Sequence, residues 1–112
     1  MLVNSTNSEH YIWGGQCHGW CLHKTADLNI VQEKMPPNTS EVRHYHKFAK
    51  QFFFVLEGTL SIEVDDNTTD VKMLEGFVIE KNTIHNVTND SNRDVVFLVI
   101  SVPTSVGDKT LA

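Results

Sequence analysis

The stretch HYHKFAKQFFFVL, residues 44–56, decides how this chain is interpreted. In a β-strand, alternate side chains share one face at about 3.3 Å per residue, so His44 and His46 would project together about 6.6 Å apart. That spacing suits two imidazoles that converge on one metal ion. Gln51 opens the apolar run, and an antiparallel return of the chain could bring its amide oxygen near the same point. The stretch therefore predicts two adjacent strands that carry a metal site.

The segment before this stretch supports the same orientation. Residues 41–46 are expected to be extended, with Val42, His44 and His46 on one face and the charged side chains on the other. Because the two histidines share their face with an apolar valine, we expect them to point inward. This is the orientation that a buried metal site requires.

The apolar run after Gln51 predicts a strand that lines a cavity. Phe53 and Val55 share the face of Gln51 in a regular strand, so we expect them to wall the cavity. The opposite face carries Phe52, Phe54 and Leu56. A strand that is apolar on both faces is typical of one that is covered on both sides.

The rest of the chain predicts an all-β domain. After the tight turn at residues 57–59, Leu60, Ile62 and Val64 alternate with polar residues, and short strands separated by turn residues continue to residue 102. No stretch longer than a turn has helical periodicity, so the pattern favours a closed sandwich or barrel. We expect one domain over residues 1–112, with a polar arm at 1–10 and a polar tail at 104–112 that reaches a neighbouring subunit.

Composition and charge limit the class of partner. The 112 residues have a net charge of −5, with 40% hydrophobic and 21% charged residues, which are ordinary globular values. A nucleic acid or an anionic membrane surface would need a basic patch, so we expect neither and favour a small-molecule ligand. The first residues lack the basic start and apolar core of an export signal, and no apolar run approaches the roughly 18 residues that span a bilayer. We therefore expect a cytoplasmic protein.

Two cysteines allow an alternative metal site. Cys17 and Cys21 lie four residues apart, beside His18 and His23, so these four side chains could form a small zinc site. The sequence offers no second ligand pair at zinc-finger spacing, however, and free cysteine in an apolar strand behaves as a small hydrophobic residue. We therefore favour a buried strand here.

A third histidine, His85, belongs to a second group of residues with motif-like spacing. The first group of residues has two histidines one residue apart, then Gln51 and Gly58; the second has Gly76, His85 and Asn89. In this two-part spacing the chain resembles the small single-domain cupins over about residues 28–102. Glu80 and Asn82 stand where that family usually has a proline and a glycine. The second exchange is mild, because asparagine tolerates a left-handed turn better than most residues do.

The resemblance implies a fold, a cofactor and an assembly. It implies a double-stranded β-helix, also called a jelly-roll barrel, that binds a divalent transition metal inside, and a homodimer as the commonest assembly. The implied ligands are His44, His46, His85 and Gln51. Imidazole suits Mn, Fe, Ni, Zn or Cu, and the residues do not choose among them. We assign Asn89, together with Phe53 and Val55, to the lining of the pocket.

The most informative departure from the family is Gln51, where the family usually has glutamate. A neutral amide cannot act as a general base, and it leaves the metal with its full charge, so we expect an anionic ligand. The first interpretation is a small-molecule enzyme of the oxygenase, isomerase or lyase type, whose catalytic residues the sequence does not identify. The alternative is a cupin that binds or senses a small ligand without turnover, and a third possibility is a purely structural barrel.

Overall fold

A computed structural model describes all 112 residues, which form twelve β-strands. In chain order they are β1 (Glu9–Trp13), β2 (Cys17–Lys24), β3 (Asn29–Met35), β4 (Thr39–Ser40), β5 (His44–Tyr45), β6 (Lys50–Glu57), β7 (Thr59–Val64), β8 (Asn67–Lys72), β9 (Gly76–Ile79), β10 (His85–Asn89), β11 (Val95–Val102) and β12 (Thr110–Leu111). The structure contains no helix with the length and hydrophobicity needed to cross a membrane. The predicted all-β class is confirmed.

The strands form two antiparallel sheets. The first has the order β1-β2-β3-β11-β6-β9, and the second has the order β12-β5-β10-β7-β8, with β4 also paired to β10. The hydrophobic core lies between them, because its buried members come from both sheets: Cys17, Met35, Phe53, Val55, Ile79, Val95, Phe97 and Val99 from the first, and Leu60, Ile62, Val71 and Val87 from the second. Alternation along each strand therefore separates an inner face from an outer one.

Strand β6 follows the expected alternation but is covered on one face only. Gln51, Phe53 and Val55 are buried, as their shared parity predicts. Phe52 is 37% exposed on the outer face, and Phe54 beside it is half-buried. The expectation that both faces are covered is wrong for the single chain. The outer face of the first sheet thus carries an apolar surface without a covering layer.

Three turns with positive φ explain why short strands can follow one another so closely. Gly58 joins β6 to β7 with φ at +77°, and a Cβ atom there would lie 2.5 Å from the carbonyl oxygen of Asp94. Asn82, which stands where the family has glycine, has φ at +62°. Residues 66–70 look like a polar loop in sequence, but Asp65 and Asp66 both have positive φ and turn the chain into β8.

Both polar chain ends contribute to β-strands. Glu9 already belongs to β1, which pairs with β2. At the other end, β12 pairs with β5, and the backbone N–H of Ala112 donates to the carbonyl of Arg43. The tail therefore pairs with its own chain beside the two histidines.

Candidate metal centre

The structure brings the three predicted histidines together in the interior. His44 in β5 lies directly opposite His85 in β10, and His46 follows β5 immediately. Their ring centroids are 4.4 to 5.6 Å apart, and one ring nitrogen from each lies within 4.8 Å of the others. All three side chains are buried. Segments separated by some forty residues thus meet at one point between the two sheets.

Each imidazole is fixed by a hydrogen bond from Nδ1. The distances are 2.9 Å from His44 to the carbonyl of Val42, 2.8 Å from His46 to that of Asp108, and 2.8 Å from His85 to that of Thr83. A backbone carbonyl can only accept, so each Nδ1 carries the proton and each Nε2 keeps its lone pair. Histidines that ligate metals show this arrangement almost always.

The side-chain acceptor atoms that have no hydrogen-bond partner are suited to bind a metal ion. His46 Nε2 and His85 Nε2 are buried without any hydrogen-bond partner, and the same is true of Gln51 Oε1. The amide nitrogen of Gln51 donates to Ser101 Oγ at 3.0 Å, which directs the amide oxygen away from that contact. Buried acceptors without donors are costly, so such a group calls for a cation. Three imidazoles and one amide oxygen form a chemically suitable ligand set for a divalent transition ion.

Burial keeps the three imidazoles neutral. It lowers the pKa of His44 to about 4, and although the Val42 carbonyl acts in the opposite sense, the charge of a protonated His85 would lower it further. Burial likewise lowers the pKa values of His46 and His85. A neutral ring is the form that binds a metal, so no proton has to be displaced near neutral pH.

A cavity of about 290 Å³ opens beside this group. His44, His46, Gln51 and Phe53 are part of its lining. His85 lies behind them and lines a smaller cavity of about 220 Å³ with Arg43 and Glu63 on the other side. The first cavity has nearly the volume of the smallest typical ligand pockets, about 300 Å³. It can therefore hold a small metabolite in contact with three of the four predicted ligands.

Three residues expected to line the pocket or to point inward beside the histidines do not line the cavity. Val55 does point inward, but it packs in the hydrophobic core. Asn89 is fully buried and structural: its Nδ2 donates to the carbonyls of Met35 and Arg93, and its Oδ1 accepts from Ser91. Val42 is 60% exposed, because the chain is not regular β-strand between β4 and β5.

The cavity also contains ionisable groups that sequence reasoning missed. Its lining includes Tyr11, Glu33, Glu41 and Lys109. One signal was available: Glu33 shares the inner face of β3 with the apolar residues Val31 and Met35, and a carboxylate in that position is unusual. The other three residues come from strands or loops whose position beside the cavity depends on tertiary structure.

Tyr11 and Glu33 form a hydrogen-bonded pair across a glycine. The Tyr11 hydroxyl donates to Glu33 Oε2 at 3.0 Å, and Gly19 lies between them in the β1-β2-β3 register. A Cβ atom at Gly19 would overlap the Tyr11 ring, so only glycine leaves room for the ring to cross. Burial raises the pKa of Glu33 to about 7, against the lowering effects of the Tyr11 hydrogen bond and the Lys109 charge. Burial and the Glu33 charge raise the pKa of Tyr11.

Glu41 is a second carboxylate beside the histidines. Its Oε1 accepts from the backbone N–H of Val87 at 3.2 Å and lies 3.9 Å from His44 Nδ1. Burial raises its pKa to about 8, and the charge of Glu33 contributes in the same direction. The two carboxylates therefore act on each other within one cavity.

Asp108 holds the loop between two predicted ligands. Its carboxylate accepts from the backbone N–H groups of Lys47, Phe48 and Ala49 at 2.9 to 3.0 Å, while its own carbonyl accepts from His46. Desolvation alone would raise its pKa, but the three N–H donors lower it below the usual value. The tail thus fixes both the ring of His46 and the chain that leads to Gln51.

The alternative zinc site does not form. Cys17 lies in the hydrophobic core, whereas His18 is on the opposite face of β2 with its ring stacked on His10. The two rings are joined by a hydrogen bond of 2.9 Å. Both cysteines are free. This agrees with the interpretation of the segment as an ordinary strand.

Comparisons with known proteins add a family and a fold. The model of the Cupin domain family matches residues 31–101, while no curated protein matches the chain. The structure is similar to KdgF from a Halomonas species, with a TM-score of 0.84 at 16% identity over 93% of this chain and 95% of that one. A predicted oxalate decarboxylase from Thermotoga maritima gives a TM-score of 0.84 at 17% identity, over 93% of this chain and all of that one.

A third similar structure is the polyketide cyclase RemF from Streptomyces resistomycificus, with a TM-score of 0.81 at 20% identity over 93% of this chain and 80% of that one. At such identities the likeness concerns the fold alone. It confirms the predicted double-stranded β-helix.

Proposed function

Because this chain belongs to the cupin domain family, we propose that it holds a divalent transition metal at its centre and acts on a small anionic metabolite. The proposed ligands are His44, His46, His85 and Gln51. One observation carries the proposal: three imidazoles are held through Nδ1, and the free Nε2 atoms of His46 and His85 are buried without partners beside the unpartnered Gln51 Oε1. A bound ion would supply Lewis acidity and a template for the ligand.

The expected charge of the ligand follows from the donor set. Three neutral imidazoles and a neutral amide would leave the positive charge of the ion uncompensated, and Lys109 adds a cation to the lining of the same cavity. A carboxylate or an enediolate is therefore a better ligand for this site than a neutral molecule.

The ionisable groups in the cavity favour an enzyme over a sensor. Tyr11, Glu33 and Glu41 line the cavity, and the raised pKa values of the two carboxyl groups allow them to hold or release a proton near neutral pH. Carboxyl groups that can exchange a proton beside a bound metal ligand are what general acid–base catalysis requires. We therefore place the protein among metal-dependent enzymes of the isomerase, lyase or oxygenase type.

We also propose that two chains associate through the outer face of the first sheet. Phe52, Val78 and Val102 are 37%, 51% and 52% exposed there, and Ile100 joins them around one groove. An apolar surface of adjacent side chains on a soluble protein marks a protein contact, and a homodimer is the commonest closed assembly.

Metal analysis after purification without chelator tests the proposal. We expect about one divalent transition ion per wild-type chain and a large loss of metal in His85→Ala. His10→Ala is the matched control, since His10 is exposed on the outer face and should keep the ion. Circular dichroism of both variants checks that the fold survives. Equal metal contents in wild type and His85→Ala would contradict the proposed site.

A further inference from the structure

Besides the predicted metal ligands, the cavity is lined by three residues whose hydrogen-bond acceptors are not all satisfied. Asn29 is only 6% exposed, it lines the cavity, and its Oδ1 has no hydrogen-bond partner. Glu33 lies on the same face of β3, where Tyr11 is the hydrogen-bond partner of one carboxylate oxygen. Glu41 adds a second carboxylate, and neither glutamate is paired with a lysine or an arginine. Tyr11 is the only hydrogen-bond donor to Glu33 and the Val87 N–H the only one to Glu41, so one oxygen of each carboxylate has no partner. We call Asn29, Glu33 and Glu41 the acceptor wall.

We propose that this acceptor wall selects carboxylate ligands that carry hydrogen-bond donors, hydroxyl or ammonium, along the chain beyond their metal-binding end. The inference rests on the proposed function, since it takes the anionic end of the ligand to lie at the histidines. It adds a requirement on the rest of the ligand. A plain aliphatic chain would leave Asn29 Oδ1 and the second oxygen of Glu33 without partners in a desolvated cavity, and an unsatisfied buried acceptor is costly.

The positions of the acceptors agree with a ligand that extends along the wall. Asn29 lies opposite Ser101, which in turn lies opposite Gln51, so it begins the wall at the level of the predicted metal ligands. Glu33 is four residues further along β3, about 13 Å at the usual rise of a strand. Donors at several points of a ligand chain would therefore meet acceptors from the metal end outward.

Tyr11 holds Glu33 in position by a hydrogen bond that crosses Gly19. Tyr11 crosses Gly19 to reach the carboxylate, and Gly19 has an ordinary φ, so an alanine there is excluded by the Tyr11 ring alone. The substitution Gly19→Ala should displace the ring and release Glu33 while it leaves both polar groups in the chain. Gly19→Ala therefore tests whether the position of Glu33 matters, while the Glu33 side chain itself is kept.

Three probes with one common metal-binding end test the inference. The probes are 2-hydroxyhexanoate, gluconate and 6-amino-2-hydroxyhexanoate, titrated calorimetrically into protein loaded with Co²⁺, whose visible absorption gives a second readout. We expect gluconate, the aminated probe or both to bind at least about tenfold more tightly than 2-hydroxyhexanoate, about 1.4 kcal/mol. A gain with gluconate identifies hydroxyl donors, and a gain with the aminated probe alone identifies an ammonium.

Variants of the wall residues test whether the gain in affinity depends on the acceptor wall. Glu33→Gln and Asn29→Ala should reduce it severalfold and leave 2-hydroxyhexanoate nearly unchanged, while Tyr11→Phe and Gly19→Ala act in the same direction. Glu57→Gln is the charge-matched control, because Glu57 is exposed at the end of β6. If 2-hydroxyhexanoate binds as tightly as the other two, the inference is overturned and the proposed function stands. If none of the probes binds the loaded protein, both fail.

Discussion

The contact between Asp108 and the loop at residues 47–49 allows a quantitative test of how the tail supports the centre. In Asp108→Ala, three hydrogen bonds from backbone N–H groups to a carboxylate are lost. Lys47 and Phe48 are exposed, so water can replace the carboxylate there, but Ala49 is 1% exposed and its N–H would be left without a partner. That one group costs about 1–3 kcal/mol and the other two bonds about 0.5–1.5 kcal/mol each.

We therefore expect Asp108→Ala to lower the free energy of unfolding of the metal-free protein by about 2–6 kcal/mol. Asp108→Asn, which keeps one acceptor and loses the charge, should lose about half as much. Because the loop leads from His46 to Gln51, metal affinity should fall in the same order in both variants. The effect on stability is present above the ordinary pKa of an aspartate and is lost as the pH falls through the lowered pKa of Asp108.

Urea denaturation at pH 7 measures the free energy of unfolding, and calorimetric metal titration measures the metal affinity. Asp27→Ala is the control, since Asp27 is an exposed aspartate in the turn between β2 and β3. A variant Asp108→Ala that is as stable as Asp27→Ala would refute the assignment of these bonds. A destabilised variant with unchanged metal affinity would show that the loop does not position the ligands.

Three further predictions follow from single contacts. Gln51→Glu should keep or raise metal affinity and weaken binding of an anionic ligand at least about tenfold, because it lowers the net positive charge of the site by one unit. Gln32→Glu on the outer face is the control. Unchanged ligand affinity in Gln51→Glu would count against the charge argument. Since the pKa of Glu33 is raised to about 7 from 4.5, its contribution to stability is present below pH 4.5 and is lost as the pH rises through 7. Wild-type metal-free protein should therefore lose on the order of 3 kcal/mol more than Glu33→Gln between pH 5 and pH 8 in urea melts; parallel losses would disprove the shift. Phe52→Glu should convert the proposed dimer to a monomer, as measured by light scattering after gel filtration. Met73→Glu is the control and should not, since Met73 is 59% exposed in the turn before β9. A wild-type protein that is already monomeric would exclude this interface.

Local pattern alone determined much of this protein. Period-two alternation predicts that Gln51 and Phe53 point inward and that His44 and His46 share a face, and the resemblance to the cupins implies that His85 joins them. These inferences succeed because a strand has only two faces and the buried one must be apolar or satisfied by partners. The left-handed turn at Asn82 also follows from local sequence, since backbone conformation is a local property.

Tertiary structure alone decided the rest. The pairing of the tail with β5 and the three hydrogen bonds to Asp108 join residues about sixty positions apart, for which the sequence has no periodic signal. The acceptor wall depends on Tyr11 crossing Gly19 to reach Glu33, a contact that requires three strands in register. Val55 and Asn89 were assigned to the pocket by parity and motif, but only the depth of the cavity decides which inward side chains line it. Alternation gives the direction of a side chain, and the packing of two sheets gives what it meets there.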